Sequence, residues 1–381
     1  MKILIASDTF IFQTSGAANV VISLSDGLRR RGHDVRVLAP SDRNVSFRDG
    51  DNFFIRSHQS FLYPDVRMCF VNKDPLLDEI VSWKPDLIHL HTEATIARLA
   101  YRISEATGAP VVATLHTDYA YFAFKRYHDI LPVHVLMSLF GKRNYRDART
   151  VIVPSEKARY FAPIQACGKP VVVIPNGIRL DHFQKPVSAK ERAELFSKYN
   201  LEDNGCTLVM ITRVSKEKNM MEILHYLPAL LEKLPQAQLL IAGDGPDRER
   251  LEKYCEEHDL TEHVCFTGRI PPDEVYRYYA MGDIFVSAST FEVHSLSCLE
   301  AMACGLPMVC REDKSLLGVL DEGENGFLYH TEQEFVEDIE KIIKDQELKE
   351  SMHKNALERA EHFSDERFVD NSLKLYHKVV G

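Results

Sequence analysis

The chain lacks several features that would place it in a simple class of protein. In its 381 residues no apolar run approaches the roughly 20 residues that a membrane-spanning helix needs. There is no low-complexity segment and no short repeat, and 45% hydrophobic with 27% charged residues is ordinary for a globular protein. These values exclude a mainly disordered, collagen-like or coiled-coil chain. At about 100–200 residues per domain, the length predicts two domains.

The eight cysteines contain no Cys-x-x-Cys pair, which argues against a structural zinc site. Most of them lie inside apolar runs, where reduced and buried thiols are expected. That usage is typical of a reducing compartment. The opening residues Met1–Asp8 turn polar too early for a secretory signal. We therefore expect a cytoplasmic protein.

The net charge of −10 is unevenly distributed along the chain. Residues 1–180 carry a net charge of +6, and residues 181–381 carry −16. This asymmetry predicts that the front half meets something anionic, because clustered positive charge attracts such partners. The alternative is a chance scatter of charge between two domains. We expect no nucleic-acid partner.

Both halves alternate short runs rich in β-branched residues with stretches of helical length. This pattern is typical of βαβ units and of a parallel sheet. We therefore expect an α/β fold of two doubly wound, Rossmann-like domains facing a cleft. The predicted strands of the first half are Lys2–Ala6, Val35–Leu38, Asp86–Leu90, Val111–Leu115, Thr150–Val153 and Val171–Ile174, and those of the second half are Thr207–Ile211, Leu239–Ala242, Val264–Thr267, Asp283–Ser287 and Met308–Cys310.

The boundary between the two domains is predicted near Pro175-Asn176-Gly177. We assign residues 1–175 to an N-terminal domain and residues 176–365 to a C-terminal domain. Residues 366–381 are expected to form a helix that crosses back to the N-terminal domain. Ligands of doubly wound domains bind at the carboxyl ends of the strands.

The most informative segment follows the predicted strand that ends at Ser287. A short helix is expected to begin near Ser295 or Ser297 and to stop at Gly305, with a proline two residues beyond. Free backbone N–H groups in its first turn, aided by the helix dipole, would form an anion site. Those groups belong to Ser295, Leu296 and Ser297.

Two carboxylates flank this anion site at different heights. Glu292 lies just before the helix, and Glu300 lies about one turn inside it. A purely structural alternative exists, because Ser297-x-x-Glu300 has the pattern of a capping box. In that case Glu300 would only cap the helix.

The two carboxylates, separated by seven residues and followed by Ala-Met-Ala-x-Gly-x-Pro, resemble the signature of retaining glycosyltransferases of family 4, which have the GT-B fold. Other segments match in order, and the resemblance covers essentially the whole chain. Arg213 and Lys218 resemble the pair that grips the donor diphosphate. The segments that resemble the nucleoside loops and the hinge are Ile241–Pro246, Phe266–Ile270 and Val173–Ile178.

The resemblance implies a role for each matching residue. Glu300 would bind the ribose hydroxyls, and Glu292 would hold the hydroxyls of the donor sugar. His116, at the end of a strand, matches the histidine that lies near the donor sugar. The remaining residues assigned to nucleotide-sugar binding are Gly16, Gly243, Arg269, Ile270, Ser295, Leu296 and Ser297.

Some of these residues also have ordinary structural readings. Arg213 and Lys218 could belong to a solvated loop, and a lone Gly243-x-Gly245 pair more often only makes a turn. Two departures from the family pattern are Ser295 and Thr212, where relatives usually have glycine, and they bear on the identity of the donor.

No metal or other cofactor is expected. The one Asp-x-Asp pair, Asp49-Gly50-Asp51, lies outside the motifs that match the family, so the basic pair would take the place of a metal ion. His89 and His91 lie two apart on one strand face, but two histidines without a third ligand do not make a metal site.

A second charged segment, from Phe124 to Arg149, points to the acceptor. Its apolar centre, residues 130–140, is flanked by basic residues and could lie on an anionic membrane surface. Diacylglycerol glucosyltransferases of the family have a similar stretch. The alternative is an amphipathic helix packed on its own domain. The predicted membrane contacts are Lys125, Arg126, Lys142, Arg143 and Arg146.

Together these features predict transfer of a hexose from a UDP-sugar, UDP-glucose above all, to the hydroxyl of a membrane glycerolipid such as diacylglycerol. We expect the protein on the inner face of the cell membrane as a peripheral protein. Three alternatives stay open: a soluble or different lipid acceptor, a sugar-nucleotide epimerase or phosphorylase of the same architecture, and a binding module without turnover. The first loop lacks Gly-x-Gly-x-x-Gly, which disfavours a dehydrogenase.

Overall fold

A computed structural model describes residues 1–12, 16–59, 67–117, 139 and 142–381. The chain divides into two compact units, which are treated separately below. The first unit comprises Met1–Gly177 together with Asp365–Gly381, and the second comprises Ile178–Ser364. Within the described ranges, no helix is long and apolar enough to cross a membrane.

The first unit is built on an eight-stranded sheet with the order β10-β9-β8-β7-β1-β2-β4-β3. Its strands are parallel except β3, which runs antiparallel to β4. A separate two-stranded hairpin is formed by β5 and β6. The strands are β1 Lys2–Ala6, β2 Asp34–Pro40, β3 Phe47–Asp49, β4 Asn52–Ile55, β5 His58–Gln59, β6 Arg67–Met68, β7 Leu87–Leu90, β8 Val111–Thr114, β9 Thr150–Val153 and β10 Val171–Val173.

Helices connect these strands. The described ones are α1 Gly16–Arg30, α2 Pro75–Trp83, α3 Thr95–Thr107 and α4 Ala162–Cys167, with a 3-10 turn over Lys157–Tyr160. Helix α3 begins at the carboxyl end of the sheet, where the buried Asp8 caps it. One Asp8 oxygen accepts hydrogen bonds from the backbone N–H groups of Thr95 and Ile96, at 3.0 and 2.9 Å. This cap fixes the start of α3 beside the end of β1.

The second unit has a six-stranded parallel sheet with the order β13-β12-β11-β14-β15-β16. Counted within the unit, this is the order 3-2-1-4-5-6, which reverses direction between β11 and β14. Loops that leave the carboxyl ends of two such strands diverge and leave a crevice for a ligand. The strands are β11 Thr207–Ile211, β12 Gln238–Ala242, β13 Val264–Gly268, β14 Ile284–Ser287, β15 Met308–Arg311 and β16 Gly326–Tyr329.

Helices cover both faces of this sheet. Leu208 and Met210 of β11 join one apolar cluster, and Val209 and Ile211 join the other, because alternate residues of a strand point to opposite faces. This explains why the strands are apolar throughout. The helices are α5 Leu180–Phe183, α6 Ala189–Lys198, α7 Met220–Lys233, α8 Arg248–Glu257, α9 Val275–Tyr279, α10 Leu296–Ala303, α11 Glu332–Lys344 and α12 Gln346–Ala360, with 3-10 turns over Lys216–Lys218, Lys314–Leu316 and Glu361–Phe363.

The last helix, α13 (Asp365–Val380), belongs to the first unit. It packs against α1 so closely that a Cβ on Gly27 would lie 2.4 Å from a methyl group of Val369. Arg30 of α1 also forms a 2.8 Å ion pair with Asp365. The C-terminal segment therefore completes the core of the N-terminal unit.

Each strand predicted from the sequence is present, with ends within two residues of the prediction. The sequence analysis did not find the short strands β3, β4, β5 and β6, nor β16. The pattern of two doubly wound α/β units is confirmed.

Candidate active site

Three loops meet at the carboxyl edge of the second unit's sheet, after β11, β12 and β13. The Val214 N–H donates to the carbonyl oxygen of Asp244 over 3.1 Å, and the Gly243 N–H donates to that of Gly268 over 3.0 Å. A Cβ on Gly243, whose φ is 144°, would lie 1.9 Å from the carbonyl oxygen of Thr212. The glycine is therefore needed for the close approach of two backbones.

The same loops carry the residues predicted to lie near the nucleoside. A Cβ on Gly245 would lie 2.2 Å from the carbonyl oxygen of Val214, so the glycine pair serves backbone packing. Arg269 is exposed and Ile270 is half-buried, directly after β13. Contact of Gly243, Arg269 and Ile270 with a nucleotide stays a prediction.

An ion pair joins the loops that follow β11 and β14. The Lys218 Nζ donates to Glu292 Oε1 over 2.5 Å, and the two side chains are only 19% and 15% exposed. Ser289 Oγ donates to the same Glu292 oxygen over 3.0 Å. The Thr290 N–H donates to the Glu217 carbonyl oxygen over 3.2 Å, which holds the two loops together. The structure thus brings together two groups that the sequence placed 74 residues apart.

Arg213 lies in the loop directly after β11 and is exposed to solvent. Its carbonyl oxygen accepts a 3.5 Å hydrogen bond from Ser215 Oγ. The loop then turns through Lys216–Lys218, and Asn219 in the left-handed conformation (φ 52°) leads into α7. Arg213 and Lys218 therefore stand on one short loop at the point where the strand order reverses.

Helix α10 begins at this crevice, at Leu296, with Ser295 as its N-cap. The Cys298 N–H donates to Ser295 Oγ, and the Ser295 hydroxyl also lies 3.2 Å from that of Ser297. The N–H groups of Leu296 and Ser297 are in the first turn, where an α-helix offers no intrahelical acceptor. The predicted helix start is confirmed, and Ser295 supplies a cap that the usual glycine cannot.

Glu300 is not part of a capping box, since the cap is Ser295 and not Ser297. Instead, the Tyr279 hydroxyl donates to Glu300 Oε2 over 2.8 Å. Glu300 keeps some contact with solvent, but desolvation by the surrounding protein raises its pKa to about 7. The hydrogen bond from Tyr279 acts in the opposite direction. The carboxylate is therefore close to balance between its two protonation states near neutral pH.

His294 is a buried neutral histidine that the sequence analysis left without a role. It is 8% exposed, and desolvation lowers its pKa to about 4. Its ring lies 5.9 Å from that of Phe363. Among the described residues its Nδ1 has no hydrogen-bond partner. His294 thus carries an unsatisfied polar atom directly before the N-cap of α10.

The first unit carries a row of three histidines at the carboxyl edge of its sheet. His91 Nδ1 lies 2.9 Å from His116 Nε2, and the two rings are stacked with centroids 5.2 Å apart. The ring of His89 lies 4.0 Å from that of His91. His89 is held by the hydroxyls of Tyr376, at 2.5 Å, and Thr114, at 2.7 Å. Helix α13 thus supports this edge through Tyr376.

Burial keeps these histidines neutral. Desolvation lowers the pKa of His89 to about 3 and that of His116 to about 4, and it lowers the pKa of His91 as well. Two neutral rings share a single proton in the bond between His91 and His116. Among the described residues, no three His, Cys, Asp or Glu side chains are arranged to hold a metal ion. The three histidines therefore offer uncharged donors and acceptors.

Gly16 is the first residue of α1, beside the same edge. The loop residues 13–15 that precede it lie outside the described residues. Its predicted contact with the donor stays a prediction.

Three of the residues predicted to contact a membrane line a basic groove, and their contact with a membrane stays a prediction. A cavity of about 510 Å³, open to solvent, is lined by Lys142, Arg143 and Arg146 together with Leu139 and the turn at Lys169. Lys169 was not expected here. Lys125, Arg126 and most of the apolar centre lie outside the described residues. Arg149 donates its N–H to the carbonyl oxygen of Val111, at the amino end of β8, so the groove lies towards the opposite sheet edge from His116.

The second unit therefore combines cations, a helix N-terminus and two carboxylates in one crevice. Such a set binds a diphosphate and the hydroxyls attached to it, because arginine, lysine and free N–H groups all donate to phosphate oxygens. The first unit presents neutral groups suited to sugar or alcohol hydroxyls. The crevice of the second unit therefore suits a diphosphate and the hydroxyls next to it.

Comparison with solved structures gives the class. HepE of Anabaena in complex with UDP has a TM-score of 0.74 at 21% identity, covering 99% of this chain and 100% of that one. Sucrose-phosphate synthase from Thermosynechococcus elongatus has a TM-score of 0.76 at 21% identity, covering 99% of each chain. At this identity the likeness establishes the fold, which is the GT-B fold.

Comparison of sequences gives the family. The profile described as "Glycosyltransferase Family 4" matches residues 14–182, and that described as "Glycosyl transferases group 1" matches residues 191–359. An alpha-monoglucosyldiacylglycerol synthase of Streptococcus pneumoniae is 30% identical over 336 residues, covering 88% of this chain and 76% of that protein. The synthase of Acholeplasma laidlawii is 26% identical over 394 residues, covering 100% and 98%. The chain belongs to glycosyltransferase family 4.

Proposed function

We propose that this chain is a retaining hexosyltransferase that moves glucose from UDP-glucose to the hydroxyl of a membrane glycerolipid, diacylglycerol first of all. The names of two relatives at 30% and 26% identity support the acceptor class. The UDP-glucose bound to HepE in a structure of the same fold supports the donor class. The observation that carries the proposal is the Lys218–Glu292 pair beside the first turn of α10.

Leaving-group stabilisation is the first part of the mechanism. As the bond between the sugar and the diphosphate breaks, negative charge grows on the diphosphate. Arg213, Lys218 and the free N–H groups of α10 meet that charge, and fixed donors of this kind contribute several kcal/mol, of the order of 3–4 for a single donor. These cations take the place that a metal ion has in other transferases, so no metal is needed.

Orientation of the donor is the second part. Glu300 accepts the ribose hydroxyls, and Glu292 accepts hydroxyls of the hexose. Glu292 and Lys218 form an ion pair. Donor binding therefore places the sugar on Glu292 and the diphosphate on Lys218, next to each other. His116 contacts the sugar as a neutral ring.

Bond formation is the third part. Membership of the family implies that the acceptor attacks on the face of the sugar from which the diphosphate departs. The acceptor oxygen bonds to the anomeric carbon while UDP leaves with the electron pair of the broken bond. Since the attack comes from the face on which the diphosphate departs, a phosphate oxygen lies beside the incoming hydroxyl and takes its proton. The product keeps the anomeric configuration of the donor.

Membrane contact is the part of the proposal that supplies the acceptor. The groove around Lys142, Arg143 and Arg146 would bind anionic headgroups and hold the protein on the inner face of the membrane as a peripheral protein. The apolar centre of the segment, residues 130–140, would dip into the lipid.

The test is incubation with a panel of nucleotide sugars and vesicles that contain diacylglycerol, followed by mass spectrometry and by NMR of the anomeric proton. We expect a monohexosyl diacylglycerol in the α configuration, formed from UDP-glucose and in the presence of EDTA. A β product would overturn the retaining mechanism. A sugar isomer without transfer would identify an epimerase, and absence of turnover with UDP-sugar bound would identify a binding module.

A further inference from the structure

Tyr279 connects two helices of the second unit at the point where the nucleotide is proposed to bind. It is the last residue of α9 and is 0% exposed. Its hydroxyl donates to Glu300 Oε2 over 2.8 Å and lies 3.2 Å from the carbonyl oxygen of Ser297 in the first turn of α10. The shorter bond goes to a carboxylate, and hydrogen bonds to charged groups are the stronger ones.

The Tyr279 ring cannot easily move away from this position. Its centroid lies 6.1 Å from that of Phe183 and 6.2 Å from that of Phe285, on two different elements of the unit. A buried tyrosine ring that packs against two aromatic neighbours has little freedom left to lose when its hydroxyl forms a bond. The hydroxyl is therefore a fixed donor aimed at Glu300.

We propose that Tyr279 is a positioning residue that holds Glu300 in the orientation required to bind the ribose of the nucleotide. Its hydroxyl occupies Oε2, which leaves Oε1 for the ribose hydroxyls; among the described residues, Tyr279 is the one side chain that bonds this carboxylate. The inference rests on the proposed function, since it assumes that Glu300 meets a nucleoside.

A second consequence concerns protonation. The titratable groups that face Glu300 are Tyr279 on α9 and Cys304 at the end of its own helix, and Cys298 faces Tyr279. Burial raises the pKa of Glu300 to about 7, and the Tyr279 hydrogen bond is the interaction that lowers it. Without the hydroxyl, a larger share of Glu300 is protonated at neutral pH.

The protonation state of Glu300 determines how UDP affinity changes with pH. A carboxylate can accept hydrogen bonds from both ribose hydroxyls, whereas a protonated carboxyl group has less acceptor capacity and carries a donor of its own. UDP affinity is therefore expected to increase as the pH rises through the pKa of Glu300. Removing the Tyr279 hydroxyl moves that increase to higher pH.

The experiment is Tyr279→Phe, with UDP binding measured by calorimetry between pH 6 and 9. We expect affinity about tenfold weaker at pH 7, in line with loss of one hydrogen bond to a charged group, and a recovery towards the wild-type value at high pH. In steady-state assays the KM for the nucleotide sugar rises while kcat changes little, because ribose contacts are the same in the ground state and the transition state.

The adjacent Tyr278 offers a matched control. It is 2% exposed, and its hydroxyl lies 2.9 Å from that of Tyr199, away from Glu300. Tyr278→Phe removes a buried hydroxyl of the same kind, so it should lower the melting temperature in a similar way and leave the UDP affinity and its pH dependence unchanged.

A double variant tests whether Tyr279 acts through Glu300. Glu300→Gln should abolish the rise in affinity near neutral pH, and Tyr279→Phe should add no further pH effect in that background. If the wild type binds UDP and Tyr279→Phe binds it with the same affinity and pH midpoint, the inference is wrong while the proposed function stands. If the wild type does not bind UDP, both are wrong.

Discussion

The carboxyl edges of the two sheets differ in charge. The edge of the second unit carries Arg213, the Lys218–Glu292 ion pair and the carboxylate of Glu300. The edge of the first unit carries three histidines that burial keeps neutral. A charged leaving group needs fixed charges of opposite sign, whereas a sugar or an alcohol needs hydrogen bonds without charge. On the proposed function, this difference predicts that the second unit meets the ionic part of the reaction and the first unit the neutral part.

Removing the cations of the second unit should have the largest effect on the rate of sugar transfer. Lys218→Ala and Arg213→Ala should each lower the rate of transfer about 10²–10³-fold, because each removes a donor that stabilises growing charge. Arg213→Ala should change the melting temperature little, because Arg213 is exposed. Lys218→Ala should also lower the melting temperature, because it leaves the mostly buried Glu292 without its cation. The measurement is transfer of labelled sugar beside thermal unfolding.

Lys216→Ala is the matched control for Lys218, since Lys216 lies on the same turn and is exposed. We expect its transfer rate to equal that of the wild type. If Lys218→Ala and Lys216→Ala were equally active, the ionic role of the second unit would be refuted.

Reversing charge in the groove of the first unit should have the next largest effect. The triple variant Lys142→Glu, Arg143→Glu and Arg146→Glu should reduce binding to anionic vesicles more than about 100-fold, at about 1 kcal/mol per basic residue near the surface. Sedimentation with vesicles that contain phosphatidylglycerol measures this. UDP affinity should be unchanged.

The control reverses three exposed lysines of the second unit: Lys190, Lys253 and Lys354, which are 86%, 73% and 76% exposed. It has the same net charge as the groove variant. Equal sedimentation of the two variants would mean that overall charge, and not the groove, determines membrane binding.

The neutral histidine edge should give a smaller effect. His116→Asn is expected to lower transfer about tenfold, the cost of one hydrogen bond, and to leave UDP affinity within about twofold of the wild-type value. The exposed His58 is the control. Because burial lowers the pKa of His116 to about 4, its protonation should cause no loss of transfer between pH 8 and 5.5. Loss of UDP binding in His116→Asn would contradict the division between the units.

The smallest effect concerns stability. His294→Phe should raise the free energy of unfolding by about 1 kcal/mol, because it removes a buried polar atom that has no partner among the described residues. The folded-state pKa of His294, about 4, is below the ordinary value of 6.5. The unfolded chain therefore binds a proton first as the pH falls, and the wild type loses stability from about pH 6.5 towards pH 4.

Urea unfolding at pH 7 and pH 5 measures this contribution. The variant should lose less stability than the wild type between the two pH values. An identical loss in both proteins would show that His294 does not contribute to the pH dependence.

The sequence predicted the strands that are apolar throughout and the helix start that has a strong capping residue. Each of the main parallel strands was found, because strands buried on both faces are apolar throughout. The start of α10 was also found, because Ser295 is a strong capping residue in front of an apolar helix. The short strands β3, β4 and β16 were missed, since each contains at most one β-branched residue, whereas the equally short β10 consists of three valines.

Contacts between distant residues could not be predicted in this way. Tyr279 meets Glu300 from another helix, 21 residues away, and His91 meets His116 across two strands, 25 residues apart. Lys169 joins the basic groove from the turn before β10. The resemblance to family 4 supplied the roles of Arg213, Lys218 and the two glutamates, but only the fold shows which of them touch and which side chains hold them.

The central claim is that the crevice of the second unit neutralises the diphosphate of the donor, and a crystal structure with UDP tests it most directly. We predict phosphate oxygens within about 3.2 Å of Lys218 Nζ and of the N–H groups in the first turn of α10, with Arg213 turned towards them and the ribose on Glu300. If both phosphorus atoms lay away from Arg213, Lys218 and α10, the account would be contradicted.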